Sequence, residues 1–188
     1  HSGDARTLTL ANESVDLVVT SPPYANAIDY MRAHKFSLVW LGSPIEELSR
    51  LRATYIGSER VVGTSLAFLP HRPETVIQQL ARKDPRKAKV LRKYFTDMSD
   101  AISEMYRVLR PNTAAIIVVG TSTMRGINVE THLCLADIAA EIGFRVVGIA
   151  DRQLDRNRRM MPARFKKSAS MIEQRIHEEY VIGLLKPM

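Results

Sequence analysis

The chain has 188 residues, 45% of them hydrophobic and 25% charged, with a formal net charge of +7. That length holds a single domain with a packed core, and one cysteine, Cys134, excludes an internal disulfide. No apolar run approaches the roughly 20 residues needed to span a bilayer, and the N-terminal residues lack a signal-peptide pattern. A soluble, cytoplasmic protein is expected, and its positive surplus favours a polyanionic partner.

Gly3-Asp4-Ala5 reads as a turn before the first strand. Leu17 to Thr20 are four apolar or β-branched residues in a row, the pattern of a strand buried on both faces of a parallel sheet. The strand stops at Ser21, because Pro22 and Pro23 cannot donate to a ladder. Asn26 to Gly42 carries apolar residues at helical spacing and is predicted as a helix ended by Gly42. Ser43-Pro44 with Glu46 and Glu47 reads as the start of a short second helix. Residues 53–72 keep no period and contain Gly57, Gly63 and Pro70, so they are expected to form a long loop or lid.

A long helical stretch is predicted from about Pro73 to Leu109, with a break near Asp84-Pro85. In its second half Phe95, Met98, Ile102, Met105, Tyr106 and Leu109 share one face, which should lie on the sheet. Arg110-Pro111-Asn112 is the turn into a strand at Ala114 to Gly120. A helix over Val129 to Ile142 closes at Gly143, and strands follow at Phe144 to Ala150 and Glu179 to Leu185. The alternation is that of an α/β sheet with flanking helices.

Charge is concentrated in two places. Residues 82–93 hold seven Lys or Arg against Asp84 alone, spread all round a helix, which suits a solvated face. Residues 151–177 hold eight Lys or Arg against three acids in a predicted loop. Arg156, Arg158, Arg159 and Arg164 there are candidate phosphate contacts, which position a nucleic acid without reading its sequence. Asp29, Tyr30, His34 and Lys35 follow the proline pair closely; they either line a substrate pocket or form the polar face of an ordinary helix. His132-Leu133-Cys134 has no second Cys/His pair to complete a tetrahedral set, so no metal site is expected. His71 and His177 are read as surface residues.

The run Asp16-Leu17-Val18-Val19-Thr20-Ser21-Pro22-Pro23-Tyr24 is the most informative feature. In open α/β sheets ligands bind outside the carboxyl ends of the strands, which puts Ser21 to Tyr24 at the mouth of such a crevice. The bland alternative is that Pro-Pro-Tyr merely ends a strand. The order of buried strand, small hydroxyl, two prolines and an aromatic resembles the catalytic motif of S-adenosylmethionine-dependent amino-methyltransferases, which modify exocyclic nitrogens of DNA bases and sometimes of RNA.

The resemblance implies a role for each residue. The lone pair of an exocyclic amine is conjugated into its ring; hydrogen bonds accepted by the Ser21 hydroxyl and the Pro22 carbonyl would draw the nitrogen toward tetrahedral geometry and free it to attack. Pro22 and Pro23 would fix the carbonyl's direction, and Tyr24 would stack on a base flipped out of its helix. A serine at the first position leans toward cytosine N4 over adenine N6, although aspartate and serine can both hold an amino group.

The likeness extends to Tyr106 to Asn112, similar to the helix and turn before the family's fifth strand. Gly3-Asp4-Ala5 is similar to the acidic loop at the cofactor's adenine end, which makes Asp4, Ala5 and Ser21 candidate cofactor contacts. What it implies is a Rossmann-like class I methyltransferase fold, in sheet order 3-2-1-4-5-7-6, with S-adenosyl-L-methionine as cofactor and DNA as partner in prokaryotic DNA methylation and restriction-modification. Yet no G-x-G turn for the cofactor's methionine end occurs in the sequence. The expectation is therefore a single partial domain over residues 1–188, holding strands four to seven and the substrate side of the site. The cofactor-binding half would lie upstream or in another chain, leaving the fragment alone inactive and its first strand open to homodimerisation. An RNA methyltransferase of the transfer-RNA guanine-N2 type and a non-catalytic nucleic-acid-binding subunit are the other readings.

Overall fold

The computed structural model describes residues 3–25, 34–42, 44, 46, 48, 55–58, 68–120, 122–153 and 178–188. In chain order its elements are β1 (Val15–Thr20), α1 (Lys35–Trp40), α2 (His71–Lys83), α3 (Pro85–Val108), β2 (Leu109–Gly120), β3 (Thr123–Met124), β4 (Ile127–Asn128), α4 (Thr131–Ile142), β5 (Arg145–Gln153) and β6 (Glu178–Leu185). Four strands form one sheet in the order β1-β2-β6-β5. β1 runs parallel to β2, and β6 is antiparallel to both of its neighbours. This is the four-five-seven-six arrangement that the resemblance implies, with β1 at the edge.

The predicted helical break falls at Asp84. Its carboxylate accepts from the backbone N–H groups of Arg86 and Lys87, both at 3.1 Å, and Pro85 opens α3. The predicted apolar face of α3 is the core: Phe95, Met98, Ile102 and Met105 are buried, with Ala115, Ile117, Val119, Ile182 and Leu184 of the sheet in the same cluster. From α4, Leu135, Ile138 and Ala139 join it. Burial of this size is the main stabilising term, about 25 cal/mol for each Å² of apolar surface removed from water. Helix α4 ends at Gly143, whose φ of +118° suits glycine, and a Cβ there would come within 3.2 Å of the Tyr106 hydroxyl.

Several boundaries depart from the sequence-based expectation. Strand β2 begins at Leu109, but its register with β1 slips between Val15 and Leu17, so residues 110–113 bulge outward and Asn112 takes a φ of +60°. The expected turn is thus real and sits inside the strand. Strand β1 is not buried on both faces: Leu17 is 53% exposed and Val19 63%, while Val18 packs against the core. Side chains alternate along a strand, and no described element covers the face that Leu17 and Val19 share. Helix α1 ends before Gly42 as expected, but Phe36 and Trp40 on it are 86% and 91% exposed. The β3–β4 hairpin, turning at Arg125-Gly126 with both φ values positive, was not expected. The first half of the helix expected from Asn26, and most of the short one expected from Ser43, lie outside the described residues.

The segment before β1 is stitched lengthwise along α3. Arg6 pairs with Asp97 at 2.8 Å, the backbone N–H of Leu8 donates to Glu104 at 2.7 Å, and Arg107 donates to the carbonyls of Leu8 and Leu10. The Arg107 guanidinium holds the Glu104 carboxyl down at about 2. At the same end, Lys186 donates to the Leu109 carbonyl at 2.8 Å and lies over the Tyr106 ring. No helix among the described residues is long and apolar enough to cross a membrane.

Candidate active site at the carboxyl edge of the sheet

Strand β1 pairs with β2 as far as Thr20 opposite Ile117, and the chain then leaves the ladder at Ser21. Ser21 is exposed, Pro22, Pro23 and Tyr24 are half-buried, and Ala25 is fully buried in the core cluster. The turn is therefore a rigid ledge pinned at its far end, with its hydroxyl-bearing residue facing water. Part of the expected lid is pressed against it. Gly57, with φ of +80°, lies so near that a Cβ on it would stand 3.2 Å from the Pro23 Cβ. Tyr55, Ile56 and Ser58 flank it, and Ile56 packs on the core.

Tyr24 reaches past the end of β2 to the start of β6. Its hydroxyl donates to Glu179 Oε1 at 2.7 Å. Glu179 is opposite Gly120 on one side and Arg152 on the other, and Arg152 Nη2 donates to its second oxygen. The neighbouring Glu178, on the other face of the sheet, accepts from Gln153 at 3.0 Å and from the Tyr180 hydroxyl at 2.9 Å. His132 of α4 stacks on Tyr180, with ring centroids 3.6 Å apart and planes 8° from parallel. The hydrogen bond to Glu178 raises the Tyr180 phenol, and burial lowers the His132 imidazole. The two adjacent acids thus anchor two separate polar sets because strand residues alternate in face.

Of the residues picked from sequence, Ser21 to Tyr24 stand together at this edge. His34 and Lys35 are exposed at the start of α1. Asp4 lies beside α3: its carboxylate accepts from Arg6 Nε at 2.9 Å and Nη2 at 2.6 Å, and this pairing lowers its proton affinity. Asp29, Tyr30, Arg156, Arg158, Arg159, Arg164 and His177 lie outside the described residues, as does nearly all of the basic loop. His71 is exposed at the first position of α2. Cys134 is buried, and its thiol, pushed up to about 12 by desolvation, donates to the Val129 carbonyl at 3.4 Å. Sequence reasoning missed Glu179 and Arg152; the available signal was a pair of acids opening an otherwise apolar strand.

A half-sheet of this order, with an antiparallel β6 between two parallel strands and a Ser-Pro-Pro-Tyr ledge at its carboxyl edge, defines a class I methyltransferase fold. The match is to the DNA methylase family of amino-methyltransferases, over residues 15–180, and the chain belongs to that family. It is similar to the type II methyltransferase M.AvaI of Nostoc, at 29% identity over 149 residues, covering 70% of this chain and 31% of that protein. It is also similar to M.MvaI of Kocuria varians, at 25% identity over 138 residues, covering 68% of this chain and 30% of that protein. The chain thus spans about a third of the length of these relatives. Among solved structures, its fold resembles the cytosine-N4-specific PvuII DNA methyltransferase, with a TM-score of 0.51 and 13% identity over 98% of this chain and 47% of that one. It also resembles TTHA0409 of Thermus thermophilus complexed with S-adenosyl-L-methionine, with a TM-score of 0.50 and 18% identity over 99% of this chain and 52% of that one.

Proposed function

We propose that this chain is the acceptor side of a DNA methyltransferase that modifies an exocyclic amino nitrogen of a flipped base, cytosine N4 in preference to adenine N6. The observation that carries this reading is the Ser21-Pro22-Pro23-Tyr24 ledge, solvent-facing at Ser21 and braced by Gly57 and Glu179. The Ser21 hydroxyl and Pro22 carbonyl accept hydrogen bonds from the target amine, which weakens conjugation of its lone pair and points that pair away from the ring. The two prolines keep the acceptors from following the amine as its geometry changes, so the stabilisation is preorganised. The Tyr24 face stacks on the extruded base and offsets the lost stacking of the duplex.

S-adenosyl-L-methionine, when bound, supplies an electrophilic methyl group on sulfur. Only part of its cradle fits the residues present here. Asp4 and Ala5 are assigned to the adenine end, where Arg6 engages both Asp4 oxygens and the two move as one unit; Ser21 borders the transfer point. The turn for the methionine end belongs to a cofactor-binding half upstream or in a second chain, and β1, at the sheet edge, is the strand such a half would pair with. The basic residues Arg156, Arg158, Arg159 and Arg164, together with Asp29, Tyr30, His34 and Lys35, are assigned to nucleic-acid contact. The neutral serine favours the cytosine reading.

The test is incubation of the complete natural protein with tritiated S-adenosyl-L-methionine and genomic DNA from a methylation-deficient bacterium, followed by nucleoside chromatography. N4-methylcytosine is the expected product. N6-methyladenine would reverse the base assignment, and label in transfer RNA but not in DNA would replace the substrate class.

A further inference from the structure

The geometry points to Glu179 as a positioning residue that sets the plane of Tyr24, so that the aromatic is already oriented before a base arrives. This inference rests on the base-stacking reading above and assigns that site a second layer. The Tyr24 phenol is anchored through its hydroxyl at 2.7 Å, at the end of the ring farthest from the backbone. With Ala25 buried behind it and Pro23 rigid before it, the ring is held at both ends. A side chain so held loses less rotamer freedom when a base stacks on it, which is how preorganisation raises a rate.

Glu179 is itself fixed. It sits at the start of β6, between β2 and β5, with its side chain 15% exposed, and the Arg152 guanidinium takes the oxygen that Tyr24 does not. A carboxylate held by an arginine is a stronger acceptor than a neutral group, and a hydrogen bond to it is directional. Both oxygens are engaged, which leaves Glu179 poorly placed to take a proton from substrate and well placed to act through Tyr24. The chain Arg152, Glu179, Tyr24 thus crosses from the last strand pair of the sheet to the ledge at its opposite edge.

The experiment measures single-turnover methyl transfer by the complete natural protein on the same genomic DNA. Tyr24→Phe and Glu179→Ala are each expected to lower the rate about tenfold, the lower end of losses from misorientation. The double variant should lose no more than either single one, since both cut the same bond. Glu179→Gln, whose amide oxygen accepts from the same phenol, should regain most of the loss, and KM for S-adenosyl-L-methionine should not move. If Glu179→Ala melts at the assay temperature, Glu179→Met, similar in length and without a strong acceptor, replaces it. A wild-type rate in Glu179→Ala, or losses that multiply in the double variant, overturns the positioning role. A wild-type rate in Tyr24→Ala overturns the stacking reading itself, which keeps the two failures distinct.

Discussion

Replacing Gly57 with alanine tests how firmly the ledge is braced from the side. Two costs arise at this position. The backbone φ of +80° is in the left-handed region, where a Cβ costs about 1–2 kcal/mol. The new methyl would also stand 3.2 Å from the Pro23 Cβ, tight enough that one of the two segments must give by a few tenths of an ångström. Overpacking of this kind adds about 1 kcal/mol where the neighbour is stiff, and Pro23 is a ring in a proline pair. Gly42 supplies the control, because its φ is +92° and a Cβ there meets nothing within 4 Å. Gly42→Ala should therefore show the conformational cost alone, and Gly57→Ala a larger one. Urea midpoints measure the difference, and single-turnover methyl transfer measures whether the displaced proline reaches the site. Gly57→Ala should transfer methyl at least several-fold more slowly, while Gly42→Ala keeps its rate. Equal midpoints with an unchanged rate would mean that the contact exerts no force on the ledge.

Two further outcomes follow from the frame. Asp84→Ala removes the cap of α3 and the ion pair to Arg125 at 2.8 Å, and should lower the melting temperature by about 2–4 °C, read by circular dichroism. Stability should also fall in acid through the Arg107–Glu104 pair. The Glu104 carboxyl titrates at about 2 in the fold and near its ordinary value of 4.5 when unfolded. In that window the unfolded chain binds more protons, so the contribution is fully present above the ordinary value and is lost as pH falls toward 2. Glu104→Gln should flatten the urea midpoint over this range, and parallel profiles for both proteins would refute the assignment.

The sequence carried the local signals well. Asp84-Pro85 marked the break between two helices, Phe95, Met98, Ile102 and Met105 marked what α3 buries, and Gly143 marked the end of α4, because each depends on residues a few positions apart. It misled where burial depends on distant elements. Leu17 and Val19 read as interior, yet half or more of each is exposed, because an apolar strand does not reveal which of its faces a helix will cover. Asn112 read as a turn and the fold keeps it as a bulge within β2, since pairing on both sides outweighs one left-handed residue. At the site, Ser21 to Tyr24 were legible because the chemistry is contiguous. Glu179 was not, since it lies 155 positions beyond Tyr24 and meets it only once β6 is placed between β2 and β5.

That placement of β6 has a consequence for the order of synthesis. β6 lies between β2 and β5, and among the described residues the ladder that joins β5 to the rest of the sheet runs through it. Until residues 178–185 are made, β2 lacks its β6 partner along Ala115 to Val119, and β5 lacks its partner among the described strands. The nascent chain must wait with that edge open, a state prone to wrong pairing. Of the described strands, β6 comes latest in chain order and is also the one that delivers Glu179 to Tyr24, so the ledge acquires its anchor in the same event that joins β2 to β5.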